Sequence, residues 1–152
     1  MDLSPLELGN TISRKIESHV FHVFKNHRLL GQAFTHPSAV SGKLQSNQRL
    51  EFLGDRVLGM VIADLLYEKY PNENEGALAA RFAALVRRDA LARIAQQLSL
   101  GTHIIVAKGE ADNGGRQNSA NLADLCEALI AALFLDGGYE VAARFIIFYW
   151  TR

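Results

Sequence analysis

A chain of 152 residues has the length of one domain, and its 49% apolar and 21% charged residues exclude a disordered or fibrous protein. Sixteen Lys and Arg balance sixteen Asp and Glu, so the net charge gives no indication of a nucleic-acid partner. The single cysteine, Cys126, excludes an intramolecular disulfide, and no apolar run approaches the ~20 residues of a membrane span, so we expect a cytoplasmic protein without membrane association.

Helices are predicted along most of the chain. Apolar residues recur mostly three and four positions apart, with no sustained alternation, which predicts an all-α fold. Ser4 and Pro5 favour a helix start, because Ser caps helices and Pro fits the first turn, while Pro37 and Gly138 favour helix ends. The predicted helices in chain order are 4–18, 26–36, 47–70, 77–86, 89–100, 120–135 and 139–150.

The remaining stretches are predicted as loops of one domain, 1–152. Residues 37–46 are rich in Ser, Gly and Lys, and residues 109–119 contain glycines that permit positive φ. Residues 103–107 are too few to classify by periodicity. The helix 47–70 has a broad apolar face over some six turns, so we expect it to be the central, mostly buried helix.

Two predicted helices carry pairs of acids. Glu51 and Asp55 are four residues apart, so both project from one side of their helix. Asp124 and Glu127 are three apart, in an apolar run with no Lys or Arg between residues 120 and 141. Because a buried carboxylate needs a cation and Mg²⁺ prefers oxygen ligands, these four acids are candidate metal ligands.

A second interpretation is that the acids lie on solvated helix faces, or pair with basic side chains such as Arg49 and Arg56. Acid pairs at these spacings are common on exposed helices, so spacing alone favours this interpretation. The spacing also does not show that the two helices meet.

A longer pattern favours the metal site. Residues 47–58, NQRLEFLGDRVL, resemble the signature segment of the ribonuclease III family at most positions. Further blocks resemble that family in the same order: FTHPS at 34–38, KGE at 108–110, GGR at 114–116 and LADLCEALIAALFLD at 122–136. The chain is thereby identified as a bacterial-type ribonuclease III catalytic domain. Bacterial members usually continue into a double-stranded-RNA-binding domain, which this chain does not contain.

The resemblance implies an endonuclease in which Glu51, Asp55, Asp124 and Glu127 are the catalytic and metal-binding acids. The implied metal is Mg²⁺, with Mn²⁺ as a substitute, and we expect two ions in the substrate complex, although one is also compatible. The implied reaction hydrolyses double-stranded RNA to 5′-phosphate and 3′-hydroxyl ends with short 3′ overhangs. Processing of rRNA and other RNA precursors is the expected role.

The resemblance also assigns residues around the acids. Family nucleases are homodimers, and Phe52 matches a residue that fits a socket of the partner subunit, whereas periodicity alone favours a core aromatic. Gln48 and Glu75 match positions near the RNA, although the spacing of Glu75 alone favours a solvated charge at the start of the next helix. Gln48 departs from the family, which usually has Glu there, and Arg56 replaces a small residue, so any charge-dependent role of position 48 is open.

Other functions are less well supported by the sequence. A catalytically silent relative that holds structured RNA would be free to lose the four acids, which are intact. A helical phosphohydrolase for small nucleotides does not account for the match over residues 47–58. A metal-free mechanism would need paired histidines, but the five histidines are scattered. The basic stretch is interpreted as a solvated face; it contains Arg81, Arg87, Arg88 and Arg93.

Overall fold

Short polar side chains start four of the helices by accepting hydrogen bonds from free backbone N–H groups. Ser4 forms a capping box with Glu7, and Asn26, Asn74 and Asn118 each accept from the backbone of the following helix. The computed structural model describes residues 3–152, apart from the side chain of Lys43. Its helices are α1 (Pro5–Val20), α2 (His27–Ala33), α3 (Gln48–Lys69), α4 (Glu75–Leu85), α5 (Arg88–Gln97), α6 (Lys108–Asp112), α7 (Ser119–Gly137) and α8 (Tyr139–Trp150).

The predicted all-α fold is confirmed, since the described residues contain no strand, only an isolated bridge between Thr35 and Ile105. That bridge explains why α2 ends at Ala33 rather than near His36: the His36 N–H donates to the Ile105 carbonyl at 2.8 Å. The prediction of a continuous loop over 109–119 is wrong, because α6 occupies its first part. None of the helices in residues 3–152 is long and apolar enough to cross a membrane.

The central helix is α7, and the prediction that α3 is the mostly buried helix is wrong. Helix α7 contacts α2, α3, α5 and α8. Its buried residues are Leu122, Ala123, Leu125, Cys126, Ala128, Leu129, Ile130, Ala131, Ala132 and Leu133. Helix α3 buries only one face and exposes 63% of Phe52, 61% of Met60 and 75% of Tyr67. The sequence contains a signal for this difference: residues 122–135 are apolar except for Asp124 and Glu127, whereas α3 carries charged residues along its length.

A glycine sets the separation of α3 and α7. Gly54 is buried where the two helices cross, and a Cβ at this position would overlap the backbone carbonyl of Glu127. Only glycine lets the two backbones approach this closely. Residues 51 and 55 lie one turn apart on either side of this crossing, so the contact also determines how near their side chains come to α7.

The loop before α2 is tied to the far end of α7. Asp136 accepts hydrogen bonds from the His22 ring at 2.7 Å and from the backbone N–H groups of Lys25 and Asn26, each at 2.9 Å. Its side chain is 3% exposed. These bonds lower the pKa of Asp136 against the opposing effect of burial. Asp136 is therefore a structural carboxylate that connects α7 to the N-terminal helices.

We predict that Gly54→Ala destabilises the protein by about 3 kcal/mol, because overpacking of this size forces the two helices apart. The free energy of unfolding, from urea denaturation, measures the effect.

Gly59→Ala, on the same helix, is the matched control. A Cβ there lies 3.4 Å from the nearest Phe82 ring atom, which is an ordinary contact. This variant should be neutral, or more stable by up to about 1 kcal/mol through its higher helix propensity. If Gly54→Ala were as stable as the wild type, the helix crossing would not require glycine.

Candidate active site

Four carboxylates from two helices line one cleft. Glu51 and Asp55 project from α3, and Asp124 and Glu127 project from α7, into a space of about 360 Å³. The structure thus brings together all four acids that the sequence predicted as ligands. The rest of the lining comes from Gln48, Phe52, Arg56, Val86, Arg88, Leu91 and Ala123.

The acids pair across the helix crossing. Glu51 lies close to Asp124, and Asp55 lies close to Glu127, so that each pair faces across from α3 to α7. Two carboxyl groups this close can hydrogen-bond only when one of them keeps its proton, because a carboxylate can only accept. Without a cation to balance their negative charge, these acids therefore tend to keep protons.

Burial raises the pKa values of three of these acids, and repulsion between the acids adds to the increase for Glu51 and Glu127. Burial raises the pKa of Glu127 to about 8, and the charges of Asp55, Glu51 and Asp124 add to the increase. Burial, followed by the charge of Asp124, raises the pKa of Glu51 to about 7. The pKa of Asp124 is also raised by burial, although its hydrogen bond to Glu51 opposes the increase.

Little positive charge within the chain compensates these acids. Among the ion pairs of residues 3–152, Asp55 is the one acid of the four that has a partner, Arg56, whose Nη1 lies 3.1 Å from its Oδ2. Both side chains of that pair are more than half exposed, so screening by water makes it weak. The sequence-based interpretation in which basic side chains neutralise the acids is therefore not supported for Glu51, Asp124 or Glu127.

The donor set fits a hydrated hard cation. Within the described part of the chain, no group of three or more His, Cys, Asp or Glu side chains is placed so that it could hold a metal ion by itself. Mg²⁺ usually keeps several waters and is held by one or two carboxylates rather than by a complete protein cage. The acids around this open cleft meet that requirement, and the raised pKa values of Glu51, Asp124 and Glu127 show that a nearby cation would stabilise their charged forms.

The other predicted residues lie in different places. Gln48 begins α3 and lines the cleft, whereas Glu75 begins α4, is exposed and does not line it. Phe52 is 63% exposed at the cleft, with the Arg56 guanidinium 4.0 Å from its ring centre. The interpretation of Phe52 as a core aromatic is thus wrong, and its role in a dimer stays a prediction.

Asn121 connects three sequence blocks that resemble the family. It lies one turn before Asp124 on α7, and its Oδ1 is 3.1 Å from Nε2 of His36. Its amide nitrogen donates to Glu110 and to the Gly115 carbonyl, each at 3.0 Å. His36, Glu110 and Gly115 belong to the FTHPS, KGE and GGR blocks. The sequence analysis did not predict a role for Asn121. The available signal was that these blocks resemble the family in the same order, which is expected if one residue contacts all of them.

The basic stretch divides into cleft and surface residues. Arg81 forms a bidentate contact with Glu73, with nitrogen–oxygen distances of 2.7 and 2.8 Å, and stacks on Tyr70. Arg87 pairs with Asp89 at 3.4 Å. These contacts agree with a solvated face, but Arg88 lines the cleft, where its charge opposes the rise in the Asp124 pKa. The prediction of a solvated face is therefore incomplete for Arg88.

Comparison with known proteins places these features in a family. A family model described as Ribonuclease-III-like matches residues 26–151. Ribonuclease 3 of Azorhizobium caulinodans and that of Anaplasma phagocytophilum are each 45% identical to this chain, over 89% and 84% of its length. The matched region is 59% and 54% of those proteins, so the chain spans little more than half the length of these relatives.

A solved structure shows the same fold. The nuclease domain of ribonuclease III from Campylobacter jejuni has a TM-score of 0.84 and 38% sequence identity. The similarity covers 91% of this chain and 98% of that chain. That structure is described as having structural flexibility in the region involved in dimer formation.

We predict that, without divalent cations, the stability of the protein falls as the pH rises from about 4.5 to about 8. Glu51 and Glu127 have folded-state pKa values of about 7 and about 8, above the ordinary 4.5. Above pH 4.5 the unfolded chain releases these protons first, so the free energy of unfolding decreases until the folded-state values are passed. Melting temperatures measured in EDTA should drop by several degrees across this range.

Glu127→Gln should reduce that drop, because glutamine is neutral at every pH in this range. Glu140→Gln, an exposed change on α8 away from the cleft, should keep the wild-type pH dependence. Identical pH dependence in wild type and Glu127→Gln would contradict the assignment of a raised pKa to Glu127.

Proposed function

Because the chain belongs to the ribonuclease III family, we propose that it is a metal-dependent endonuclease that hydrolyses double-stranded RNA. The products carry 5′-phosphate and 3′-hydroxyl ends with short 3′ overhangs, and the substrates include rRNA and other RNA precursors. The observation that supports this proposal most strongly is the cleft in which four carboxylates from α3 and α7 pair across the helix crossing.

The proposed ligands of Mg²⁺, or of Mn²⁺ in its place, are Glu51, Asp55, Asp124 and Glu127. A bound divalent ion lowers the pKa of a coordinated water and stabilises negative charge on the phosphate. The carboxylates supply the negative charge that binds the cation, and they must lose their shared protons to do so. Burial and the charges of its neighbours raise the pKa of Glu127 to about 8, so a nearby cation would strongly favour its charged form.

Residues outside the ligand set hold these acids in position. Gly54 keeps the two helices close enough for the cross-helix pairs. Asn121, fixed by His36 and Glu110, holds the turn of α7 that precedes Asp124. Side chains fixed on packed helices keep their geometry better than side chains on mobile loops, which favours a preorganised site.

We also propose that the active form is a homodimer with Phe52 in its interface. Phe52, Met60 and Tyr67 recur seven or eight residues apart on α3, so they share one helix face. These three residues are 61% to 75% exposed. Large apolar residues that are exposed together on one face are typical of an interaction surface. A second copy that covers this face would lie beside the cleft, because Phe52 belongs to both.

We predict that the chain cuts long duplex RNA in Mg²⁺, spares single-stranded RNA and stops when EDTA is added. Glu127→Gln should reduce the rate on the order of a hundredfold or more, as expected for the loss of a group that supports charge stabilisation in the transition state. Gel analysis of a labelled duplex measures the rate, and circular dichroism checks that the variant is folded.

Glu140→Gln serves again as the control and should cut at the wild-type rate. Undiminished cleavage in EDTA would reject the metal mechanism. A Glu127→Gln variant that cuts at close to the wild-type rate would reject the proposed site.

We predict that Phe52→Ala weakens the dimer by a hundredfold or more, since removal of a buried Phe side chain costs about 3–5 kcal/mol. Sedimentation over a concentration series measures the dissociation constant. Val23→Ala removes another apolar side chain that is 68% exposed but lies outside α3, and it should leave the dimer intact. A wild-type monomer at micromolar concentration would contradict the proposal.

A further inference from the structure

Arg88 differs from the other arginines near the cleft in having no partner. It is the first residue of α5 and lines the cleft together with the four acids. Within the part of the chain that the structure describes, its guanidinium makes no ion pair or hydrogen bond. Its charge nevertheless acts on Asp124, whose pKa it lowers against the dominant effect of burial. Arg88 is therefore close to the acids but not bound to them.

Neighbouring arginines are engaged by other groups. The Arg56 guanidinium pairs with Asp55 at 3.1 Å and stacks on the Phe52 ring at 4.0 Å. Arg87, next to Arg88 in sequence, pairs with Asp89 and does not line the cleft. Among the described residues of the cleft lining, Arg88 is thus the cation whose hydrogen-bond donors are available to a ligand.

The acids of the cleft repel the negatively charged RNA backbone, so binding requires a cation at the cleft. An RNA phosphate that enters meets four carboxylates, and the chain as a whole has zero net charge with which to attract it. A metal ion offsets the acids where it binds, but phosphates next to the cut site need a contact of their own. A guanidinium presents a planar set of donors that matches phosphate oxygens in a bidentate manner.

We propose that Arg88 binds an RNA phosphate adjacent to the one that is cut, an inference that rests on the proposed function. Arg88 approaches this phosphate from α5, whereas the acids approach the cut site from α3 and α7. Its contribution is to substrate binding and position, and the four acids retain the chemistry. Loss of the Arg88 charge should therefore change the affinity for duplex RNA and the salt dependence of that affinity.

The test measures duplex RNA binding over a salt series for Arg88→Gln, with Arg93→Gln as the matched control. Arg93 lies on the same helix and is exposed, but it does not line the cleft. Binding is measured in the Glu127→Gln background so that the duplex stays intact. Arg88→Gln should weaken binding about tenfold, as expected for a charged hydrogen-bonded contact. It should reduce the slope of log affinity against log salt by about one, the value for one phosphate contact.

Two further measurements separate a phosphate contact from an indirect effect on Asp124. Arg88→Lys should keep most of the salt slope, because it retains the charge, while it loses part of the affinity with the bidentate geometry. With Glu127 intact, Arg88→Gln should raise KM and leave kcat at saturating RNA, and the Mg²⁺ concentration for half-maximal cleavage, close to wild type. A changed Mg²⁺ requirement with an unchanged salt slope would overturn the inference.

The outcomes also separate this inference from the proposed function. If the wild-type chain fails to cut duplex RNA in Mg²⁺, the proposed function fails. If the wild type cuts but Arg88→Gln and Arg93→Gln have equal affinities and slopes, the inference alone fails. If the wild type binds no duplex RNA even at low salt, both fail.

Discussion

The close contact between α3 and α7 at Gly54 is the constraint on which the site depends. Because residue 54 has no side chain, the backbone of α3 lies directly against the carbonyl of Glu127. This approach brings Glu51 within hydrogen-bonding reach of Asp124, and Asp55 within reach of Glu127. A larger residue would separate both pairs together. One glycine therefore determines a helix–helix distance and, through it, the geometry of four carboxylates.

The site is built at the cost of local stability. Helix α7 is buried along most of its length, and its two acids are partly buried with it, so burial is the leading cause of their raised pKa values. Apolar contacts of α7 with four other helices offset this electrostatic cost. Perturbed carboxyl groups of this kind are characteristic of functional sites, where a ligand supplies the missing charge. The same burial that raises the pKa of Glu127 would strengthen its attraction to a cation.

Different side chains border the cleft on the sides formed by α7, α3 and α5. On the α7 side, Asn121 joins His36 to Glu110 and fixes the turn before Asp124. On the α3 side, Arg56 lies between Asp55 and Phe52, and so connects the acids to the exposed apolar face. On the α5 side, Arg88 leaves its donors free.

Local sequence determined where the helices begin and end and which acids share a helix face. Caps such as Ser4 and Asn26 and the spacing of apolar residues act within a few positions, so the helices were predicted to within a few residues, with α6 missed because five residues carry too little periodicity. The resemblance over residues 47–58 and 122–136 indicated Glu51, Asp55, Asp124 and Glu127 as candidate ligands before their positions were known. Only the tertiary structure decided that Phe52 is exposed beside the cleft, and that Arg88 lines the cleft while Glu75 does not. These properties depend on contacts between residues far apart in the chain, which neither spacing nor composition specifies.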